Sequence, residues 1–325
     1  MPTLAPLDFD AFVVATFFMN DCPVFALGDG TVRFIDGNET SITAHDGALL
    51  AAAVSGDAKF MVTGGDDGRV VKVSSEGQLT VLAEQSRKWI DIVALGPRGT
   101  VAYASGRDAW VCMPDGEQKN FSHQRAVGGL AFAPKGLRVA RARYDGADLF
   151  FVSGAGEPVT LPWKGAHKDI TFSPDGKYVV TTMQENALHG WRLSDKQDMR
   201  MSGYPGKVKS LSWSAKGRYL ATSGADAAIL WPFSGKTGPM GQQPLQLGAR
   251  SGIYVTAVAC HPTDDVVAVG YADGMVLACR FEDQAEVVLR RQGGDPVSAL
   301  AWDKAGVRLA LGTEQGAGGI VSLAD

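Results

Sequence analysis

Histidine and sulfur side chains are the first residues in this sequence that could do chemistry. Imidazole nitrogens and soft sulfur atoms are ligands that zinc and copper accept readily. No two histidines lie two or four residues apart, so a metal site would have to be assembled from separate segments. The neighbouring Cys260 and His261 would also point to opposite faces of a strand. We therefore expect no metal and no other cofactor, and the candidate ligands that remain are His167, His189, His261 and Cys260.

Two arginines at alternate positions, Arg141 and Arg143, could bind an anion. In an extended strand this spacing places both side chains on one face. Two guanidinium groups side by side repel each other unless an anion lies opposite. One interpretation is therefore a contact with an anion or an acidic peptide of a partner. The alternative is ion pairing inside the fold, for which the candidate acids are Asp145, Asp148 and Asp169.

Motifs of known catalytic mechanisms do not occur in the sequence. The string SGKTG at 234–238 is similar to the end of a phosphate-binding loop, but that motif requires a glycine where Leu230 stands. There is no G-x-S-x-G nucleophile elbow and no H-E-x-x-H zinc motif. The GGDDG turn at 64–68 lacks the alternating acidic ligands of a calcium loop. The sequence therefore predicts a protein that is not an enzyme.

The composition is typical of a single globular domain, which we expect to span residues 1–325. Of the 325 residues, 45% are hydrophobic and 20% are charged, so the chain can bury a large core. A formal net charge of −4 gives no general attraction to nucleic acid. No stretch approaches the roughly 18 apolar residues of a membrane span, and the N-terminal segment MPTLAPLDFD lacks a basic region followed by an apolar one. We expect a cytoplasmic monomer that binds neither nucleic acid nor membrane.

The elements that must position these residues recur about every 40 residues along the chain. Each copy has an apolar strand, a turn with glycine or aspartate, a second strand ending in small residues, a tight turn and a third strand of branched or aromatic residues. Eight copies can be aligned. Their third-strand segments are GDGTVRFID (28–36), DDGRVVKVS (66–74), RDAWVCMP (107–114), YDGADLFFV (144–152), ENALHGWRL (185–193), ADAAILWPF (225–233), ADGMVLACR (272–280) and QGAGGIVSL (315–323).

The fifth copy carries the clearest motif, FSPDG at 172–176, followed by Trp191; the sixth has Trp231 at the same place. These residues resemble the WD-repeat (WD40) β-propeller family, as a divergent member of bacterial type, although Arg192 and Pro232 replace the aspartate that should follow each tryptophan. The resemblance implies an all-β fold, a closed β-propeller of four-stranded antiparallel blades. Eight copies predict eight blades, and seven is the alternative if one copy is degenerate.

The resemblance also implies a hydrogen-bonded chain of His, Ser or Thr, Asp and Trp inside each blade. In the second copy His45, Thr63 and Asp67 match three of these places. The fourth copy keeps only His123 and Asp145. The same architecture needs a partner for the last copy's third strand, and we expect the segment from Leu4 to Phe9 to pair with it and close the ring.

The function that the resemblance implies is a noncatalytic scaffold that binds a peptide or protein partner on a loop face of the propeller. The alternative is a propeller that binds a small ligand, zinc or copper, or an enzyme that uses the central channel. The small, apolar inner strands, such as GGLAFAP and TAVACHP, favour the scaffold. Candidate partner-binding residues are Arg141, Arg143, Trp89, Arg107, Trp163, His167, Gln184, Glu185, His189, Tyr204, Arg250 and Tyr271.

Overall fold

The computed structural model describes residues 2–154 and 156–323, and within them it is built almost entirely of antiparallel strands. The described residues form two compact units. One unit contains the described residues in the ranges 1–27, 33–40 and 199–325, and the other contains those in the ranges 28–32 and 41–198. A short 3-10 turn, Pro97–Gly99, is the single helical element in the described ranges.

Six sheets have four strands each, and neighbouring strands in each sheet are hydrogen-bonded in the order given. The first two sheets contain β2 (Val13–Met19), β3 (Cys22–Leu27), β4 (Thr31–Asp36) and β5 (Asn38–Thr43), and then β6 (Leu49–Val54), β7 (Phe60–Gly65), β8 (Arg69–Ser74) and β9 (Leu79–Glu84). The third contains β10 (Ile92–Leu95), β11 (Val101–Ser105), β12 (Asp108–Cys112) and β13 (Gln118–Asn120), and a later one contains β20 (Leu211–Trp213), β21 (Tyr219–Thr222), β22 (Ala228–Pro232) and β23 (Leu245–Leu247). The last two contain β24 (Val255–Cys260), β25 (Val266–Tyr271), β26 (Val276–Arg280) and β27 (Glu286–Arg290), and then β1 (Thr3–Asp8), β30 (Ala317–Ser322), β29 (Arg308–Thr313) and β28 (Val297–Trp302).

One sheet has six strands and contains both the fourth and the fifth repeat copies. Its strands are β14 (Val127–Phe132), β15 (Arg138–Phe151), β16 (Val159–Phe172), β17 (Tyr178–Met183), β18 (Ala187–Arg192) and β19 (Gln197–Met201).

The prediction of eight separate four-stranded blades is therefore wrong, and the alternative of seven agrees with the seven sheets in the described residues. The physical reason lies in β15 and β16, which have 14 residues each. Tyr144 pairs with Ala166 and, after a shift in register, Gly146 pairs with Pro162; β16 also pairs with β17, so these two strands join the fourth copy to the fifth. Two sequence copies consequently share one hydrogen-bonded sheet.

The N-terminal strand completes the sheet of the last repeat copy, as predicted. Strand β1 pairs antiparallel with β30, from Thr3 opposite Ser322 to Asp8 opposite Ala317. The N–H of Phe9 then donates to the carbonyl of Gly316 over 3.0 Å. An edge strand without such a neighbour would leave a row of backbone groups open to another chain.

Burial decreases from the second strand of a sheet to the fourth, which explains the apolar second strands. In the first sheet, five of the six residues of the second strand β3 are buried, whereas five of the six residues of the outer strand β5 are exposed. Strands covered on both faces are apolar throughout, and an outer strand can be polar.

The described part of the chain contains no helix with the length and apolar character needed to span a membrane.

Candidate protein-binding surface

A buried histidine holds the turn between β7 and β8, as the family resemblance implied. His45 Nδ1 lies 3.0 Å from Asp67 Oδ1, and His45 Nε2 lies 2.8 Å from Thr63 Oγ1. The Thr63 hydroxyl also lies 3.3 Å from the carbonyl of Val71 on β8. Burial opposes ionisation of Asp67, but the backbone N–H of Arg69 and the His45 ring lower the pKa of this carboxyl below its usual value. This chain ties the loop before β6 to the second and third strands.

Two residues that we expected to contact a partner take the place of His45 in other sheets. His167 Nδ1 lies 2.7 Å from Thr181 Oγ1, and the Tyr204 hydroxyl lies 2.6 Å from Thr222 Oγ1. Trp231 Nε1 donates to the Tyr204 hydroxyl over 2.5 Å. Burial raises the pKa of Tyr204 to about 12 and lowers that of His167. Both rings are therefore held by hydrogen bonds within the fold, His167 on strand β16 and Tyr204 on a loop.

A sequence signal could have identified this role. Thr63 stands four residues before the turn residue Asp67, and Thr222 stands four residues before Asp226. A threonine at that position predicts a hydrogen-bonded ring on the preceding loop, and in the sixth copy the ring that matches is Tyr204 rather than a histidine.

Arg141 and Arg143 share one buried carboxylate. Strand β15 bends sharply at Asp145, where φ is 67°, and Asp148 lies opposite the two arginines. Arg141 Nη2 donates to Asp148 Oδ2 over 2.8 Å, and Arg143 donates to both Asp148 oxygens over 2.7 and 2.9 Å. Arg141 also donates to the Phe121 carbonyl. The structure thus supports the ion-pairing alternative for these two arginines, with Asp148 as the acid.

The electrostatics of this cluster follow from burial. Arg141 and Asp148 are each 3% exposed. Burial alone would raise the pKa of Asp148, but hydrogen bonds from Arg143 and Arg141 hold it below its usual value. Burial also lowers the pKa of Arg141. Two guanidinium groups on one carboxylate make each member of the cluster dependent on the others.

Four more predicted residues, Trp163, His189, Arg250 and Tyr271, are held by neighbours. The buried ring of His189 stacks on Trp163 with centroids 4.0 Å apart. Tyr271 is fully buried, and its hydroxyl donates to the carbonyl of Gly248. Arg250 donates to Asp273 over 2.9 Å and lies over the Tyr271 ring.

The remaining candidate metal ligands are also engaged. The Cys260 thiol lies 3.4 Å from the carbonyl of Ser212, and burial raises its pKa to about 12. A neutral thiol is a poor nucleophile and a poor metal ligand. His261 Nε2 lies 2.9 Å from the carbonyl of Gly306. Among residues 2–154 and 156–323, no three His, Cys, Asp or Glu side chains are grouped to hold a metal ion.

Trp89 differs from all of these residues, because its side chain is 70% exposed. It lies in the loop between β9 and β10, which is held on both sides. The N–H of Gln85 donates to Gly68 over 2.8 Å, and the N–H of Ile90 donates to Gly65 over 2.9 Å. The Ile90 side chain is fully buried. The backbone is therefore fixed while the indole faces solvent.

Charged side chains continue from Trp89 onto the next sheet. Lys88 forms an ion pair with Asp108, and this contact lowers the pKa of Asp108. Asp108 also accepts a hydrogen bond from Ser122 over 3.0 Å. A shallow depression of about 670 Å³ lies here, lined by Arg107, Asp108, Ser122, His123 and Gln124. Arg107 itself is exposed.

The same edge continues onto the six-stranded sheet. Arg125 lies over the ring of Tyr144, 5.4 Å from its centroid, and Tyr144 is 42% exposed. Tyr144 pairs with Ala166, whose N–H lies 3.5 Å from the exposed Glu185 carboxylate. The predicted residue Gln184 is exposed beside it. We call this edge the Trp89 rim and define it as Trp89, Arg107, Arg125, Tyr144 and Glu185.

The sheets and the His45 chain are similar to those of WD-repeat β-propellers. Two segments, 38–71 and 196–230, match the model of the family described as "WD domain, G-beta repeat". Residues 258–325 match that of the "Anaphase-promoting complex subunit 4 WD40 domain". The chain thus contains WD40 repeats and has a β-propeller fold.

Two curated relatives are similar over part of their length. The chain is 26% identical over 203 residues to "Telomerase protein component 1" of Rattus norvegicus, and this alignment covers 60% of this chain and 7% of the relative. It is 28% identical over 123 residues to "WD repeat-containing protein 1-B" of Xenopus laevis, and this alignment covers 34% of this chain and 20% of the relative. The chain thus spans a small part of these animal proteins, and they give no support to the expected bacterial type.

A solved structure is similar over nearly the whole chain. The computationally designed Ika8 protein superposes with a TM-score of 0.78 and 20% sequence identity, over 97% of both chains. At this identity the likeness shows the fold alone.

Proposed function

We propose that this protein is a noncatalytic scaffold that binds a protein partner through the Trp89 rim. The observation that carries the proposal is the exposure of the Trp89 indole on a loop whose backbone is fixed. An exposed indole leaves a large apolar area in water. A partner that covers it gains that area without an entropic cost for ordering the loop.

The chemistry of the rim supports a particular kind of partner. Tryptophan, tyrosine and arginine are the residues that most often dominate binding energy at protein interfaces. Asp108 is already paired with Lys88. The exposed arginines Arg107 and Arg125 then outnumber the one acid of the rim, Glu185, and give the rim a positive character. The partner would offer an apolar pocket for the indole, with acidic side chains beside it. The similarity to WD repeat proteins is consistent with this role.

The test is affinity purification of the tagged full chain from its native host, followed by mass spectrometry. We expect a specific partner that the Trp89→Ala chain retains at least about 30-fold more weakly, as for a hot spot of about 2 kcal/mol. The matched control is Phe151→Ala, because Phe151 is an aromatic of the same unit that is 59% exposed but lies outside the rim. A partner that both variants retain equally would place binding elsewhere, and the absence of any specific partner would overturn the scaffold function.

A further inference from the structure

A groove in the unit of residues 41–198 lies outside the Trp89 rim. It has a volume of about 900 Å³. Its apolar lining includes Phe60, Val81, Leu95, Met113 and Phe132, which come from the strand ends and short turns of β7 to β14. The volume and the apolar lining are those of a site that holds side chains or a small molecule.

The outer strand β9 runs along this groove and carries exposed apolar residues. Its residues Leu79 and Val81 are 43% and 53% exposed and stand two apart, on one face of the strand. The corresponding strand β5 carries the polar sequence NETSIT. Outer strands normally carry polar or charged residues, because an exposed apolar edge invites pairing with another chain.

The backbone of β9 is available for such pairing. In the described sheet β9 is the last strand and pairs only with β8, so alternate N–H and C=O groups point away from the sheet. The register shifts between Val70 and Val71 on β8, and this bulge brings Val81 and Leu82 both into the groove lining. An extended peptide could therefore add to the edge and place a side chain in the groove.

The charges of the groove specify what the peptide would carry. Lys72 and Arg98 line the groove, and neither belongs to an ion pair within the described residues. Lys72 lies 4.5 Å from the centroid of the Phe60 ring, which fixes a cation above the apolar floor. The acid in the lining, Asp57, already accepts hydrogen bonds from Ser55 and from the N–H of Lys59. The groove is thus apolar at its floor and positive at its edge.

We propose that this groove is a second binding site, which takes an extended peptide segment that pairs with β9, inserts a bulky apolar side chain and carries acidic residues opposite Lys72 and Arg98. This mode gives affinity through backbone hydrogen bonds and specificity through the side-chain pocket. The site is independent of the Trp89 rim, and one chain could then hold two partners.

The test is selection of random twelve-residue peptides on the Trp89→Ala chain, which removes the main rim contact. We expect the selected peptides to combine acidic residues with a bulky apolar residue. Binding of a selected peptide should weaken at least about tenfold with Val81→Lys, and by a similar factor with Lys72→Glu combined with Arg98→Glu. Hydrogen exchange of the β9 amides should slow when the peptide binds.

The matched control is Val288→Lys, because Val288 lies on the outer strand β27 and is 48% exposed. This variant should bind the peptides like the parent chain, and all variants should keep the parent's circular dichroism spectrum. Three results would overturn the proposal: no enrichment, peptides that bind the Val81→Lys chain undiminished, or peptides without acidic residues. Sedimentation gives a further check, since self-association that Val81→Lys abolishes would overturn the peptide assignment by showing that a second copy of the chain occupies the groove.

Discussion

Two buried polar clusters in the unit of residues 41–198 occupy equivalent places and are built differently. Thr63 on β7 and Arg141 on β15 each stand four residues before the aspartate of a tight turn, Asp67 and Asp145. Thr63 joins a chain of short hydrogen bonds through His45. Arg141 instead joins an ion cluster centred on Asp148.

The difference shows that this strand position can hold either a hydroxyl or a guanidinium when neighbouring groups form hydrogen bonds or ion pairs with it. Both side chains are buried, and each forms hydrogen bonds within the fold. A hydroxyl that loses a partner leaves a neutral group unsatisfied. A guanidinium that loses its carboxylate leaves a buried charge, which costs more.

The largest expected effect is therefore the loss of Asp148. In Asp148→Ala, two guanidinium groups lose their shared carboxylate, and we expect the free energy of unfolding to fall by about 3–5 kcal/mol. Urea unfolding followed by circular dichroism measures it. The matched control is Asp195→Ala, which removes the exposed partner of Arg192 and should cost much less. Equal losses in the two variants would show that burial does not distinguish the ion pairs.

A smaller effect is expected from the hydrogen-bonded chain. Thr63→Val keeps the shape of the side chain but leaves the buried His45 ring without its hydroxyl partner. The free energy of unfolding should fall by about 1–3 kcal/mol in the same urea experiment. Thr181→Val, which removes the partner of His167, should cost a similar amount. A neutral result for both would mean that the chain does not stabilise the fold.

The smallest effect is a dependence on pH that arises at His167. Because burial lowers the pKa of this ring, the unfolded chain takes up a proton at a higher pH than the folded chain. Stability from this group is complete above the usual histidine pKa of about 6.5 and declines as the pH falls below it, by at most about 1.4 kcal/mol per pH unit. Urea unfolding between pH 7 and pH 5 measures the slope.

The control for this prediction is His167→Gln, which removes the titrating group and should flatten that part of the curve. Asp148, whose pKa is lowered, stays ionised in this range and contributes its loss of stability only at lower pH. An unchanged slope in His167→Gln would assign the pH dependence to other groups.

Local signals accounted for much of the fold and for part of the candidate surface. The repeated turns and apolar strands predicted the sheets, and the free edge of the last copy predicted its pairing with β1. His45, Thr63 and Asp67 were recognisable because their residue types match a hydrogen-bonding pattern. The exposure of Trp89 also agrees with its expected place in a loop.

Burial was harder to predict than the strands. Tyr204 and Tyr271 follow loop-like segments or end a strand, and both turn their rings inward onto hydroxyl or carbonyl partners. Arg141 and Arg143 alternate as expected, but only the turn at Asp145 brings Asp148 against them. The direction of a ring or a guanidinium depends on its neighbours in space, and residues adjacent in sequence do not specify them.

By itself, the sequence determined the all-β repeat, the turns and the polar residue types that a buried chain of hydrogen bonds requires, because these follow from local backbone preference and side-chain chemistry. Only the tertiary structure decided that two copies share one sheet, that the paired arginines face inward, and that a fixed loop leaves Trp89 exposed. These outcomes depend on strand register and on packing between segments distant in the chain, where small differences in backbone pairing decide which side chains are buried.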